Sequence, residues 1–267
     1  MAKSRAERPE REPIDVVVLA GGRISGWFRR SAGTSVKALA PVAGEAVVRR
    51  TVRGLRESRW VREVCVVGPE PLREAVADLA LWQADAGSAL ANAIAGLEKL
   101  GGDATRRVLV SASDHPFLNG AAVDDYLDRS PTGAAVTMPL VRRERFVERF
   151  PGNWGVYVRL AEGRFTSGGQ FLFRPDPVLQ NPPLLQSLFN RRKSQLALAS
   201  MLGWGLVWKL VRGRLSIDDV EQRMSEITGC ACRAVPDCHP ELAYDMDNVL
   251  DLRDAEQRLL NERRAGS

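Results

Sequence analysis

Several large functional classes lack their signatures in this chain. No uncharged apolar run reaches the ~20 residues that a helical membrane span needs. There is no Gly-x-Gly-x-x-Gly turn, no Walker lysine motif and no Ser, His and Asp order that marks a hydrolase triad. Cysteine is scarce, with four in 267 residues. Cys65 stands alone in Val64-Cys65-Val66-Val67 and reads as a small hydrophobe in a strand. Cys230-x-Cys232 with Cys238-His239 fits no standard zinc-knuckle spacing, so a structural zinc is not expected. Blocks of like charge and internal repeats are also missing. The net charge of +5 is spread along the chain, which suits an anionic small molecule as readily as nucleic acid; no nucleic-acid partner is expected.

What is present describes an ordinary soluble globular chain, 45% hydrophobic and 27% charged. Its length allows one large domain, with or without an insertion. Residues 1–13 are of mixed charge without an apolar core and read as a disordered lead-in rather than a targeting peptide, so a cytoplasmic location is expected. Strands are predicted at 14–19, a buried-type apolar run, and at 61–67, 108–112 and 134–140. Residues 20–37 form a long Gly/Ser/Arg loop. Helices are predicted at 45–55, from Pro71 to Leu81, from Ser88 onward and at 121–127. This alternation predicts an α/β fold, a three-layer, doubly wound, mostly parallel sheet with ligands beyond the carboxyl ends of its strands.

Past residue 140 the rhythm breaks. A charged helical piece (142–149) precedes two extended segments, 157–160 and 165–173, joined by a turn at 161–163. Pro175, Pro177, Pro182 and Pro183 mark a linker, and 184–228 read as helical, with a capping-box start at Ser216 and a stop at Gly229. Strands at 231–235 and 242–244 and a helix at 252–260 complete the reading. The expected organisation is one domain over 14–263 with a mainly helical insertion at about 174–229.

The candidate site begins at Val16-Val17-Val18-Leu19-Ala20-Gly21-Gly22-Arg23, a buried strand emptying into paired glycines. Glycines there let backbone N–H groups approach a phosphate or a base edge; an ordinary tight βα turn has the same sequence. Farther along come Gly33-Thr34-Ser35-Val36-Lys37-Ala38-Leu39-Ala40-Pro41-Val42-Ala43-Gly44, Ser113-Asp114-His115-Pro116-Phe117-Leu118, and Tyr244-Asp245-Met246-Asp247 with Asp251-Leu252. Together these four ordered motifs resemble nucleotidyltransferases of the molybdenum-cofactor guanylyltransferase (MobA-like) type, over about 14–140 and 230–260, with 141–229 specific to this lineage.

The resemblance implies a Mg²⁺-dependent enzyme that transfers a nucleoside monophosphate from an NTP to a phosphorylated small-molecule acceptor and releases pyrophosphate. It implies catalytic roles for Lys37, Asp114 and Asp247, with Asp114, Asp247 and Asp245 as metal ligands. Nucleotide contacts are implied for Leu19, Ala20, Gly21, Gly22, Arg23, Lys37, Gly87, Ser88 and Asn92. The chemistry suits these groups, because nucleotidyl transfer needs charge neutralisation at the α-phosphate and an in-line approach more than covalent help. Two departures stand out: valine, not proline, precedes Lys37, and the loop after the glycines is long, with Arg23, Arg29 and Arg30 as candidates for the arginine that usually follows them.

Plainer roles compete at each position. Lys37 can be a solvated loop lysine, Asp114 a helix cap in rivalry with Pro116 and Asn119, and Asp245 and Asp247 caps for the last helix, although Asn248 to Asp251 stand nearer to it. Ser88 is equally a plain cap. His115 reads as structural. Gly168-Gly169 within the extended run imply close approach of a ligand or a neighbouring backbone, or a β-bulge. The apolar stretch 196–211, with basic flanks, reads as a packed helix pair in preference to a membrane-surface or lipid-binding segment. Two other functions fit the motifs: a glycosyltransferase of related fold using Asp245-x-Asp247, and a non-catalytic nucleotide-binding regulator.

Overall fold

The structure is a computed structural model in which residues 12–153, 155–180 and 203–265 are described. The lead-in expected at 1–13 lies outside these residues except for its last two, and so does much of the expected insertion (181–202).

Nine strands build one mixed sheet in the order β5-β4-β1-β6-β10-β7-β9-β8, with β11 paired to β7. The parallel half consists of β5 (Leu81–Ala84), β4 (Val61–Gly68), β1 (Ile14–Leu19) and β6 (Val108–Ala112). β1 is Val-rich because both its faces are covered. Val16 and Val18 face the main core, while Val17 packs with Cys65, Val67, Ala93, Leu97 and Val110. Helix α4 (Ala89–Lys99) covers that second face, and Gly96 lets it come close: a Cβ there would lie 2.5 Å from Val17 Cγ1. On the other face α2 (Val47–Arg56) buries Val47, Val48, Thr51, Val52 and Leu55, and α5 (Gly120–Arg129) packs beside it. The three layers expected from the sequence are present.

The rest of the sheet is mixed. β10 (Gln170–Phe173) runs antiparallel to both β6 and β7 (Val136–Arg142) and lies between them. β7 also pairs with β9 (Gly163–Ser167), which forms a hairpin with β8 (Val158–Leu160), and with β11 (Cys232–Val235) in parallel. The extended run expected at 165–173 is therefore two strands, broken at Gly168-Gly169.

Other expectations are corrected. The loop 20–37 contains helix α1 (Gly26–Ala32), which buries Phe28 and Ala32 and ends at Gly33 in the left-handed conformation. The helix expected from Pro71 to Leu81 stops at Ala75 (α3), and Leu81 begins β5 instead. Pro41–Val42 and Glu45–Ala46 form a small hairpin (β2 and β3), turned by Ala43 and Gly44, both at positive φ as a two-residue hairpin loop requires. The strand expected at 242–244 is a 3₁₀ turn, Pro240–Leu242, followed by irregular chain. After helix α6 (Arg143–Arg149) and the short α7 (Pro175–Val178), helices α8 (Trp204–Val211) and α9 (Ile217–Thr228) account for the described part of the expected insertion. α9 starts with the expected Ser216/Asp219 capping box and stops at Gly229. Leu206 and Leu210 of α8 pack on the cluster of Leu215, Ile217, Leu160 and Phe165, whereas Trp204, Trp208 and Val211 are exposed. The helix expected at 252–260 runs longer, as α10 (Val249–Ala265).

Candidate active site

The ends of β1 and β6 and the chain leading into α10 meet at one place. Ala20 closes β1 by donating its N–H to Val67 O at 2.8 Å, with its side chain fully buried. Gly22 O accepts the Lys37 N–H at 3.0 Å, and Arg23 bridges antiparallel to Val36. These bonds fold the long loop back so that Lys37 lies against the glycines: a Cβ at Gly22 would stand 3.5 Å from Lys37 Cβ. A Cβ at Gly21 would meet Asp85 Oδ2 at 3.2 Å and Asn92 Nδ2 at 3.3 Å, which puts the glycine pair beside a second loop.

That second loop, 85–88, is tightly hydrogen-bonded. Asp85 Oδ1 accepts the Gly87 N–H at 2.9 Å, Asn92 Oδ1 accepts the Ala86 N–H at 2.6 Å, and Gly87 has φ +88°. Ser88 acts as the plain cap of α4, accepting from Ala91 N at 3.1 Å.

Lys37 Nζ bridges two carboxylates. It touches Asp114 Oδ2 and lies 2.5 Å from Asp247 Oδ1. Burial works against the ammonium charge, but Asp114 and Asp247 outweigh it and hold the lysine above its ordinary pKa. Asp114 is buried, which alone would raise its pKa; Lys37 and the neighbouring His115 keep it below the usual carboxylate value. Neither acid group is a helix cap. Asn119 caps α5 (Ala122 N to Asn119 Oδ1, 2.9 Å), and α10 starts on a box in which Asn248 Oδ1 accepts from Asp251 N and Asp251 Oδ2 accepts from Asn248 N. Asp251 Oδ2 also accepts the Asp247 N–H at 3.0 Å, which fixes the acidic loop to the helix start. Asp245 stands at the exposed rim. Desolvation by the surrounding wall and repulsion from Asp247 and Asp114 push its carboxyl up to about 7.

Three aspartates around one lysine leave an excess of negative charge and an all-oxygen donor set, the chemistry of a hard divalent cation. Among the described residues, no group of three or more His, Cys, Asp and Glu side chains closes into a metal cage. Mg²⁺ does not demand one, since it keeps waters and takes one or two carboxylates together with substrate phosphates. Surface concavities of about 410 and 420 Å³ lie beside Arg159 and Arg164 and beside Trp82 and Lys99, away from this cluster.

The structure thus brings Gly21, Gly22, Lys37, Asn92, Asp114, Asp245 and Asp247 to one region. Arg29 and Arg30 sit on α1 instead, Arg30 4.2 Å over the Trp27 ring. Sequence reasoning missed Asp85, Thr51 and the holding role of Asp251. Asn248-x-x-Asp251 was readable as a capping box. Nothing in the spacing pointed to Asp85, or to Thr51, whose buried hydroxyl accepts the His115 N–H at 3.1 Å. Gly168 and Gly169 are explained by neighbouring protein groups: a Cβ at 168 would lie 2.8 Å from Leu242 O, and one at 169 would lie 2.0 Å from His115 Nε2.

Comparison with known proteins supplies the family. The model of the MobA-like NTP transferase domain matches residues 16–218. It therefore runs through most of the stretch expected to be specific to this lineage, and ends before Asp245. No curated protein matches the chain. Among solved structures, a hypothetical transferase from Thermus thermophilus is 35% identical, with TM-score 0.78 over 90% of this chain and 99% of the other. A nucleotidyl transferase from Methanothermobacter thermautotrophicus (19% identical, TM-score 0.55, 94% and 99% covered) shares the fold. So does a CMP:2-keto-3-deoxy-manno-octonic acid synthetase complexed with CTP (15%, 0.57, 94% and 100%).

Proposed function

The chain belongs to the MobA-like NTP transferase family, and from that premise we propose that it transfers a nucleoside monophosphate from an NTP to a phosphorylated small molecule, with Mg²⁺ as cofactor. The observation that carries this reading is the meeting of Lys37, Asp114 and Asp247 beside the Gly21–Gly22 turn. In the reaction, an acceptor phosphate oxygen forms a bond to the α-phosphorus of the NTP. The bond from that phosphorus to the bridging oxygen breaks, and pyrophosphate leaves with the electron pair.

The protein groups bind, orient and neutralise charge. Backbone N–H groups of Gly21 and Gly22 face the phosphates, at a turn where a side chain would crowd Asp85 and Asn92. The Lys37 ammonium offsets charge at the reacting phosphate. Asn92 and the 85–88 loop border the nucleoside. Asp114 and Asp247, with Asp245 at the rim, would hold Mg²⁺, which when bound supplies positive charge to the phosphate oxygens. The all-oxygen donor set supports that fit.

The test is pyrophosphate release measured across the four NTPs against a panel of sugar phosphates, polyol phosphates and cofactor precursors, with and without EDTA. Release with one NTP and one acceptor, abolished by EDTA and by Asp114→Ala while NTP binding survives, is expected. Turnover of a nucleotide-sugar instead would make the chain a glycosyltransferase. NTP binding without release from any pair would leave a nucleotide-binding regulator.

A further inference from the structure

His115 is buried to 1% exposure beside the carboxylates and has no part in the chemistry above. Its Nδ1 lies 2.9 Å from Tyr244 O. A carbonyl only accepts, so Nδ1 carries the proton. Burial pushes the imidazole below its usual pKa, against the pull of Asp114. Nε2 has no hydrogen-bond partner among the described residues and stands 4.0 Å from Asp114 Oδ1.

Both ends of the ring's contacts are adjacent to an acid. His115 follows Asp114 directly, and the carbonyl it bonds belongs to Tyr244, whose peptide leads into Asp245. The two segments are 129 residues apart in sequence and carry like charge. Around the ring the backbone is stitched in the same direction: Ala112 N donates to Gly169 O at 2.9 Å, and Gly169 N donates to Leu242 O at 3.1 Å. The absence of a side chain at Gly169 makes room for the ring, because a Cβ there would fall 2.0 Å from Nε2. Thr51 anchors the near side through His115 N–H, with its own hydroxyl 3.2 Å from the Ser113 and His115 carbonyls.

We propose that His115 is a positioning residue: its Nδ1–H bond to Tyr244 O, with the ring seated on Gly169, sets the separation between Asp114 and the Asp245–Asp247 loop and so the fit of that oxygen set for a divalent cation. The proposal rests on the assignment of those aspartates as metal ligands. It differs from simple core filling because it depends on which ring atom donates. An asparagine at 115 can present its amide N–H where Nδ1–H stands. A glutamine carries its amide out toward Nε2 and Gly169, past the Tyr244 carbonyl.

The experiment uses the full chain with a non-reacting NTP analogue and Mn²⁺, free Mn²⁺ being read by electron paramagnetic resonance, alongside urea unfolding. His115→Gln and Gly169→Ala are expected to weaken Mn²⁺ binding about 10-fold, the scale on which groups that orient metal ligands act, and His115→Asn to stay within about threefold of the unaltered protein. Equal weakening by the Asn and Gln variants, or by neither, overturns the clamp. His115→Ala is expected to behave as the Gln variant; should it fail to fold, the Asn and Gln pair decides. Asp114→Asn separates the two ideas: Mn²⁺ binding unchanged in that variant removes the ligand assignment itself, whatever His115 does.

Discussion

Replacing Lys37 by methionine deprives two carboxylates of one shared counter-charge, and they do not lose equally. The lysine side chain is 17% exposed and that of Asp114 10%, whereas Asp247 is 71% exposed. Two unit charges about 4 Å apart interact by about 4 kcal/mol at the effective dielectric of a partly buried site, and by about 1 kcal/mol in water. The Asp114 pair should therefore show a coupling of about 2–4 kcal/mol, and the Asp247 pair no more than about 1 kcal/mol. Two double-mutant cycles, Lys37→Met with Asp114→Asn and Lys37→Met with Asp247→Asn, measure these terms by urea unfolding at pH 7.5 in EDTA. The same cycle carries a pH signature. Asp114 is held below its ordinary pKa of 3.8, so its contribution is present above that value and lost as pH falls through the lower, folded-state value. Lys37→Met should flatten this acid-side loss. Equal couplings for the two aspartates, or an Asp114 coupling below about 0.5 kcal/mol, would refute the assignment of the buried pair as the dominant one.

Three further outcomes are expected. Gly54→Ala places a Cβ 2.0 Å from Leu118 O, a backbone atom of the loop that follows Asp114, and should cost about 1–3 kcal/mol in urea unfolding and lower the rate of pyrophosphate release. Trp204→Ser and Trp208→Ser should each change stability by less than about 0.5 kcal/mol, because both rings are exposed, whereas Leu215→Ala, buried beneath the same helix, should cost about 2–5 kcal/mol in thermal unfolding. Asp251→Ala removes the acceptor of the Asp247 and Asn248 N–H groups; it should cost about 1 kcal/mol and raise the metal concentration needed for half-maximal release, with the rate at saturating metal retained.

The strands at 14–19, 61–68 and 108–112 were legible because their central residues, covered on both faces, form nearly continuous apolar runs. Leu81–Ala84 was not, because the alanines before it favour helix locally while pairing with Cys65 to Gly68 is a non-local choice. The break at Gly168-Gly169 had a local sign, but its causes are the Leu242 carbonyl and the His115 ring, both brought there from elsewhere in the chain. Single residues of the site followed the same division. The caps offered at Asn248 to Asp251 and the Ser88 cap are short-range and were visible. The meeting of Lys37, Asp114 and Asp247 joins three separate segments, and only the resemblance of the motifs suggested it. Asp85 and Thr51 act through contacts that leave no periodic or spacing signal.

The insertion of β10 between β6 and β7 has a consequence for synthesis. During translation β6 is complete at Ala112, yet the strand that covers its free edge ends at Phe173, about 60 residues later, or roughly 3–12 s at ordinary elongation rates. For that interval Val108, Leu109 and Val110 present an unpaired apolar edge, the usual template for mispairing with another chain. Helix formation cannot close it, since the missing partner is itself a strand. Slowing elongation between codons 112 and 173 should lower the yield of soluble protein even though no residue is changed.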